Sequence, residues 1–360
     1  MISSILSSYG LDSNGCTVSP LADGLINMTW KIVSGEQQFI LQRINDNVFK
    51  RPQDVADNIG MLNQHLKKHS PGYLFVAPLE NKFHQEIVHD QEKGYFRLFP
   101  FIRGSHTINV VSRPDQAYEA SLQFGKFTRL LSGFDATRLH LTIPDFHNLT
   151  LRYLQLEEAI KNGNQNRVSQ SASLISQIKN HYSILTTFEK IKKSAHVRTR
   201  VTHNDTKISN VLFDDQDKGM CVIDLDTVMP GFFISDVGDM MRTYLSPANE
   251  EEKDFDKIEV RGDFFMAIVQ GYLLNMNDDL TEDEKDLIHY AGLFLIYMQA
   301  IRFLADYCNN DAYYGAHYEE QNLVRAGNQL TLLQRLAEKK ELFERLISKE
   351  FKSKTYLFKE

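Results

Sequence analysis

The chain has 360 residues, 42% of them hydrophobic and 24% charged, a balance that belongs to a folded globular protein and excludes a disordered one. Its net charge of -7 excludes a broad nucleic-acid or anionic-membrane surface and leaves small polyanions as the expected charged partners. Cys16, Cys221 and Cys308 are odd in number, far apart and free of any CxxC pairing, so they suggest inert packing in a reducing, cytoplasmic setting rather than a disulfide framework or a thiolate zinc site.

The opening "MISSILSSYGLDSNG" lacks the basic segment and long apolar core of a secretory signal. From Thr17 to Phe101 the texture is mainly that of strands. "INMTWKIV" and "QQFILQRI" flank a turn at Ser34, Gly35 and Glu36, and short apolar runs follow at "YLFVAPL" and "YFRLFPFI". One helix interrupts them: Pro52 opens "PQDVADNIGMLNQHLKKH", where Val55, Ile59, Leu62 and Leu66 recur at helical spacing.

After Gly104 long amphipathic patterns take over, among them "DQAYEASLQFGKFTRLLSG", "QSASLISQIKNHYSILTTFEKIKK" and "EQNLVRAGNQLTLLQRLAEKKELFERL". The apolar run "YAGLFLIYMQAIRFLADY" is broken by Gln299 and Arg302 short of a membrane span and reads as a buried helix. The expected architecture is therefore α+β: a small antiparallel sheet lobe with one helix, residues 1–103, and a larger mainly helical lobe, residues 104–360. A cleft between two such lobes is the usual place for a small-molecule site.

One stretch breaks the helical texture of the second half. In "VTHNDTKISNVLFDD" and "CVIDLDTVMPG" two apolar runs flank a turn at Gln216–Gly219 and predict a hairpin. Pairing Phe213 with Met220 and Val211 with Val222 sets Asn210 beside Ile223 and Asp224. An amide oxygen next to a carboxylate suits magnesium, which takes one or two protein ligands together with substrate phosphates. Asp205, five residues before Asn210, can face the same point and accept a proton from an incoming hydroxyl. His203 is expected to brace the loop.

"HNDTKISN" followed by "IDLD" resembles the catalytic loop and metal-binding segment of the protein-kinase-like phosphotransferases. The resemblance implies that Asp205 is the catalytic base, that Asn210 and Asp224 hold Mg2+, and that Lys207 touches the phosphoryl group transferred from ATP. Period-two alternation would put Asp226 on the side of Asp224, in support of metal or acceptor. No activation segment ending in A-P-E is present. "GFFISDVGDMMR" follows instead, so the chain is more similar to the aminoglycoside phosphotransferase and choline kinase superfamily, where Asp236 would hold the catalytic loop. "PLADGLINMTW", "FILQRIN", "RLFPFIRGS", "PDFHN" and "IRFLADY" further resemble, in order, segments of the N-acetylhexosamine 1-kinases.

That resemblance implies a cytoplasmic, ATP- and magnesium-dependent sugar 1-kinase. Its nucleotide would lie under Asp23 and Gly24 and against the connector residues Pro100, Phe101 and Ile102. The usual sheet-lobe lysine is missing, with Gln42 or Arg43 in its neighbourhood; Arg43 could meet the phosphates, with Asp57 as a helix partner. No Walker A sequence and no G-x-G-x-x-G occurs. For the acceptor, Arg302, His147, Tyr313 and Tyr314 are candidates. Against this stand core packing of the rings and a simple pair between Arg302 and Asp306, four residues apart on a helix. The acids near 249–263 are expected in solvent, and the lone Trp30 in the core. The alternatives are a kinase of the same fold for an aminoglycoside, choline or homoserine, and a catalytically silent nucleotide-binding regulator.

Overall fold

The computed structural model describes residues 2–21 and 27–357. Asp23 and Gly24 lie outside them. The chain opens with a short helix α1 (Ser3–Ser8), then strands β1 (Cys16–Pro20), β2 (Met28–Ser34) and β3 (Gln37–Ile44), helix α2 (Pro52–His69), and strands β4 (Val88–Asp90) and β5 (Gly94–Pro100). These strands form an antiparallel sheet in the order β1-β2-β3-β5-β4. α1 and β4 carry too few residues to show a period, which is why the pattern of the sequence does not mark them. "YLFVAPL" joins no strand, and its Leu79 amide makes a single bond to the Leu98 carbonyl. Pro78 has no N–H to give to a ladder.

The two faces of this sheet differ in a way that decides the site. Leu41, Phe96, Leu98 and Ile32 are buried in a small cluster with Ile5 and Leu6 of α1. Trp30 packs at its edge, 6.4 Å from the Phe96 ring. Arg43 alternates with Leu41 and stands opposite Phe96, so it shares this outer face. Gln42 and Arg97, directly paired across β3 and β5, project from the other face toward the second lobe.

The second lobe is built on α3 (Pro114–Leu130), α4 (Leu149–Asn162), α5 (Gln165–Gln170), α6 (Ala172–Asn180), α7 (Ser183–Lys193), α8 (Phe233–Tyr244), α9 (Gly262–Met276), α10 (Glu282–Lys285), α11 (Ile288–Cys308), α12 (Gln321–Glu338) and α13 (Lys340–Leu357). The long run from Gln170 to Lys193 is divided by turns at Ser171 and around His181. α3 and α9 approach closely through two glycines. A Cβ on Gly125 would lie 2.7 Å from the Tyr272 carbonyl oxygen, and one on Gly271 2.4 Å from that of Tyr118, so any side chain there would force the helices apart. α11 is long and apolar enough to cross a membrane by composition alone, but 78% of its apolar window is buried inside the protein. It is the central helix of the main core.

Strands β6 (Arg200–Thr202), β7 (Val211–Phe213), β8 (Gly219–Val222) and β9 (Met229–Gly231) interrupt the helices and form two small ribbons, β6 with β9 and β7 with β8. Arg200 anchors the first. Its guanidinium is buried against Glu284 at 2.9 Å and Asp279 at 3.0 Å. In the second, Val211 pairs with Val222, while a bulge sets Phe213 against Gly219 instead of Met220.

Candidate active site

β6 ends at Thr202, and the loop His203–Lys207 then runs into a turn of 3-10 helix at Ile208–Asn210 before β7 begins. Buried acids of α8 hold this loop by its amides. Asp236 accepts from the His203 N–H at 3.0 Å and the Asn204 N–H at 2.7 Å, and Asp239 accepts from the Thr206 N–H at 2.8 Å. Tyr244 donates its hydroxyl to the Thr206 carbonyl. Burial pushes the Asp236 carboxyl up to about 6, a cost that its amide bonds partly offset. Asp239 is a residue that sequence reasoning missed. Its position one helical turn after Asp236 was the available signal.

His203 lies under the loop, its ring edge-on to Phe124 at 5.1 Å and its Nε2 2.9 Å from the Ile223 carbonyl oxygen. That contact ties the His203–Lys207 loop to the segment after β8. The Ile223 N–H in turn donates to the Asn210 carbonyl, which brings Asn210 and Asp224 side by side. At Asp224 the backbone turns left-handed, with φ +61°, a conformation rare for residues other than glycine and frequent at functional sites. This turn ends strand alternation. Asp226 therefore does not share a strand face with Asp224, but sits in a 3-10 turn, Leu225–Thr227.

Asp226 instead meets the small lobe. Arg97 reaches it at 2.5 Å, with both side chains almost fully buried, and the Asn27 amide donates to it at 2.8 Å. Gln42 accepts from the Nε and Nη2 of Arg97 at 3.1 and 2.9 Å. The small-lobe cation on the inner face of the sheet is thus Arg97, buried against Asp226 beneath the cavity, and the sequence candidate Arg43 is turned away, against Met28 and Gly94. Asp57 does not partner either arginine; it accepts from Gln53 and lies 3.8 Å from His140. A lone arginine inside the apolar run "YFRLFPFI" was the signal for Arg97.

Asp205 accepts from the Asn210 amide at 3.0 Å and pairs with Lys207 at 3.0 Å. Burial alone would raise its pKa, but Lys207, with help from His203 and Asn210, holds it below the usual carboxylate range. Asp224 behaves oppositely: burial, then the neighbouring charges of Asp226 and Asp205, push it up to about 7. Arg97 matches Asp226 and Lys207 matches Asp205, which leaves Asp224 without an ion-pair partner among the described residues; with Asn210 beside it, Asp224 forms a donor set that a divalent cation would neutralise.

A cavity of about 770 Å³ opens over these groups. Asn27, Thr29 and Gln42 of the small lobe face Asp205, Lys207, Asn210 and Asp224 across it, with Thr107–Val111 along one wall. Pro100, Phe101 and Ile102 do not line it. The Phe101 N–H is bonded to the Gln38 carbonyl, and the Ile102 carbonyl accepts from the Ser105 hydroxyl with one lone pair to spare. The acids expected in solvent include one exception. Glu250 lines the cavity, drawn in between Arg242 at 3.3 Å and Arg325 at 2.5 Å.

The acceptor candidates come together beside this cavity rather than among its lining residues. The Arg302 guanidinium lies 5.8 Å from the rings of Phe146 and Tyr313 and 5.4 Å from that of Tyr314. His147 stacks on Phe146 at 4.5 Å, and burial, followed by the charges of Arg302 and Arg242, lowers its pKa to about 3. It is neutral at any physiological pH. Asp306 is not the partner of Arg302; it accepts the N–H groups of Tyr313 and Tyr314 at 2.7 and 2.9 Å and so shapes their loop. Cys221 and Cys308 are buried and Cys16 half-buried, all as free thiols.

A family model described as "Phosphotransferase enzyme family" matches residues 17–264, more than half of the chain. Among solved structures, the chain is similar to a microcompartment-associated aminopropanol kinase, with TM-score 0.67, 14% identity, and coverage of 94% of this chain and 96% of that one. It is likewise similar to the choline kinase of Cryptosporidium parvum Iowa II, with TM-score 0.57, 14% identity and 96% of each chain covered. A spectinomycin phosphotransferase in complex with ADP and its antibiotic aligns at TM-score 0.59 and 13% identity over 93% of this chain and 97% of that one. At such identities the likeness is one of fold.

Proposed function

The chain belongs to the phosphotransferase enzyme family, and on that premise we propose that it transfers the terminal phosphoryl group of ATP to the anomeric hydroxyl of an N-acetylhexosamine. N-Acetylglucosamine or N-acetylgalactosamine would give the sugar 1-phosphate and ADP. The observation that carries this choice of acceptor is the charge around it. The fold neighbours named above are an aminopropanol kinase, a spectinomycin phosphotransferase and a choline kinase; an ammonium acceptor calls for a free carboxylate or, when quaternary, for an aromatic cage without a competing cation. Here Asp239 and Glu250 are taken by Arg242 and Arg325, Asp306 by backbone amides, and the groups left over are arginine and aromatic rings. Such a surface suits a neutral sugar, whose C–H faces pack on rings and whose carbonyl and hydroxyl oxygens accept from guanidinium.

Asn210 and Asp224 would hold the magnesium. When bound, the ion would neutralise charge on the phosphates. Asp205 orients the acceptor hydroxyl and takes its proton. An anomeric hydroxyl is more acidic than an ordinary alcohol, so a carboxylate is base enough. Without nucleotide, Lys207 occupies Asp205; phosphate oxygens compete for that ammonium, and Asp205 becomes a better acceptor as Lys207 turns to them. Arg97 supplies the buried cation in place of the missing lysine and, through Asp226, fixes the sheet over the catalytic loop. Most of the rate then comes from alignment and charge placement.

The test is phosphorus NMR of the product from ATP, magnesium and N-acetylglucosamine. A doublet coupled to the anomeric proton is expected. A 6-phosphate, or no sugar ester while an amino alcohol is consumed, would overturn the assignment.

A further inference from the structure

Two guanidinium groups beside the active site have no carboxylate partner among the described residues. Arg302 bonds only the Gln299 side-chain oxygen, at 3.2 Å. Arg152, from the first turns of α4, bonds the Gln155 side chain and the carbonyls of Asp145 and Phe146; its Nε is buried with nothing to donate to. Of the other arginines of this region, Arg242 is neutralised by Asp239 and Glu250 and Arg325 by Glu250, while Arg261 spends its donors on the carbonyls of Tyr244, Leu245 and Ser246.

Arg152 and Arg302 also feel one another. After burial, the charge of Arg302 is the next cause lowering the pKa of Arg152, so two like charges are held together in a partly desolvated place. The carbonyls that Arg152 caps and the rings beneath Arg302 offset part of that repulsion, but no carboxylate among the described residues does, and a half-buried cation without an anion is costly to keep. Between them the Phe146–His147 stack presents a second orphan, the buried Nδ1 of His147. That imidazole senses the charge of Asp205 as well as those of Arg302 and Arg242, which puts the cluster within electrostatic reach of Asp205. Among the described residues the two guanidinium groups lack a carboxylate, and the buried Nε of Arg152 lacks any acceptor; donors of that kind beside a reaction centre call for an anion.

Resting on the sugar-kinase reading, we propose that Arg152 and Arg302 form an anion subsite and that the preferred acceptor is an amino sugar carrying a sulfate ester or a carboxylate. The planar guanidinium forks would grip its oxygens, while the rings of Phe146 and Tyr314 flank the sugar. The chemistry shared by the two substituents is a resonance-delocalised oxyanion, and the acceptors used in the test tell them apart.

The experiment compares initial rates, with ATP and magnesium, for N-acetylglucosamine, its 6-sulfate, and a disaccharide of glucuronic acid linked to N-acetylglucosamine. One anionic acceptor is expected to exceed the neutral sugar in kcat/KM by about tenfold or more, the range of a hydrogen bond to a charged group. The preference should vanish in Arg152→Gln and survive in large part in Arg152→Lys. Equal or lower kcat/KM for both anionic acceptors in the unaltered protein overturns the subsite and leaves the sugar-kinase reading standing. A second arm needs no turnover: thermal melts in sodium sulfate against sodium chloride at matched ionic strength. Sulfate stabilisation larger in the unaltered protein than in Arg302→Gln keeps the subsite even if no sugar is phosphorylated, in which case only the 1-kinase reading falls. Equal stabilisation of the two overturns the subsite.

Discussion

The two sides of Asp205 are built from opposite charge. Toward the small lobe stand Asp224 and Asp226; burial, followed by the charges of Asp226 and Asp205, pushes the Asp224 pKa up to about 7. Toward α4, α8 and α11 stand Arg152, Arg242 and Arg302, with His147 kept neutral among them. The acidic side fits a metal ion and its nucleotide; the basic side fits an acceptor that brings no positive charge. A phosphotransferase fold fixes the first side, because every member must place the same phosphates. The second side is free to vary, and the proposed choice of a neutral sugar over an ammonium acceptor rests on its charge.

Changes on the acidic side should have the largest effects. Asp205→Asn is expected to lower kcat by on the order of 10³-fold while nucleotide affinity, read by calorimetry, stays nearly constant. Retained turnover would remove Asp205 from the chemistry. Arg97→Met leaves the Asp226 carboxylate buried and unpaired, and should cost about 3–5 kcal/mol in urea unfolding. The double variant Arg97→Met/Asp226→Asn should regain much of that stability without regaining activity, which separates the latch between lobes from the catalytic role.

A smaller effect has the opposite sign. Because the folded-state pKa of Asp224 is raised, its ionised form burdens the metal-free protein above about pH 7. Asp224→Asn should therefore raise the melting temperature at pH 8 by a few degrees. The gain should shrink as pH falls through about 7 and disappear near the ordinary carboxyl range, where Asp224 is protonated folded or unfolded. In the unaltered protein protons compete with magnesium, so its apparent affinity should fall about tenfold per pH unit below about 7. An affinity independent of pH would mean that Asp224 does not hold the ion.

The same division governs what the sequence reveals. His203, Asp205, Asn210 and Asp224 lie within one loop and one hairpin, so spacing and a two-strand register suffice to bring them together. Arg97 and Asp226 are far apart along the chain, and their meeting depends on which face of β5 looks into the cleft. That face is set by α1, whose six residues show no period but cover Leu41, Phe96 and, with them, the side of Arg43. The error at Asp226 has a local cause: strand alternation was carried through Asp224, where the backbone turns left-handed. Arg302 and Asp306 share a helical face, but the Tyr313–Tyr314 amides outcompete the arginine for that carboxylate. A helical period cannot report such a choice.

The contrast between the two sides is tested most directly by competition in one vessel, with N-acetylglucosamine and 1-amino-2-propanol at equal concentration, limiting ATP and magnesium. The account predicts that the sugar ester accounts for nearly all of the phosphate transferred. Predominant phosphorylation of the amino alcohol would contradict it, since Asp239, Glu250 and Asp306, the carboxylates beside Arg242, Arg325 and Tyr313, already have partners.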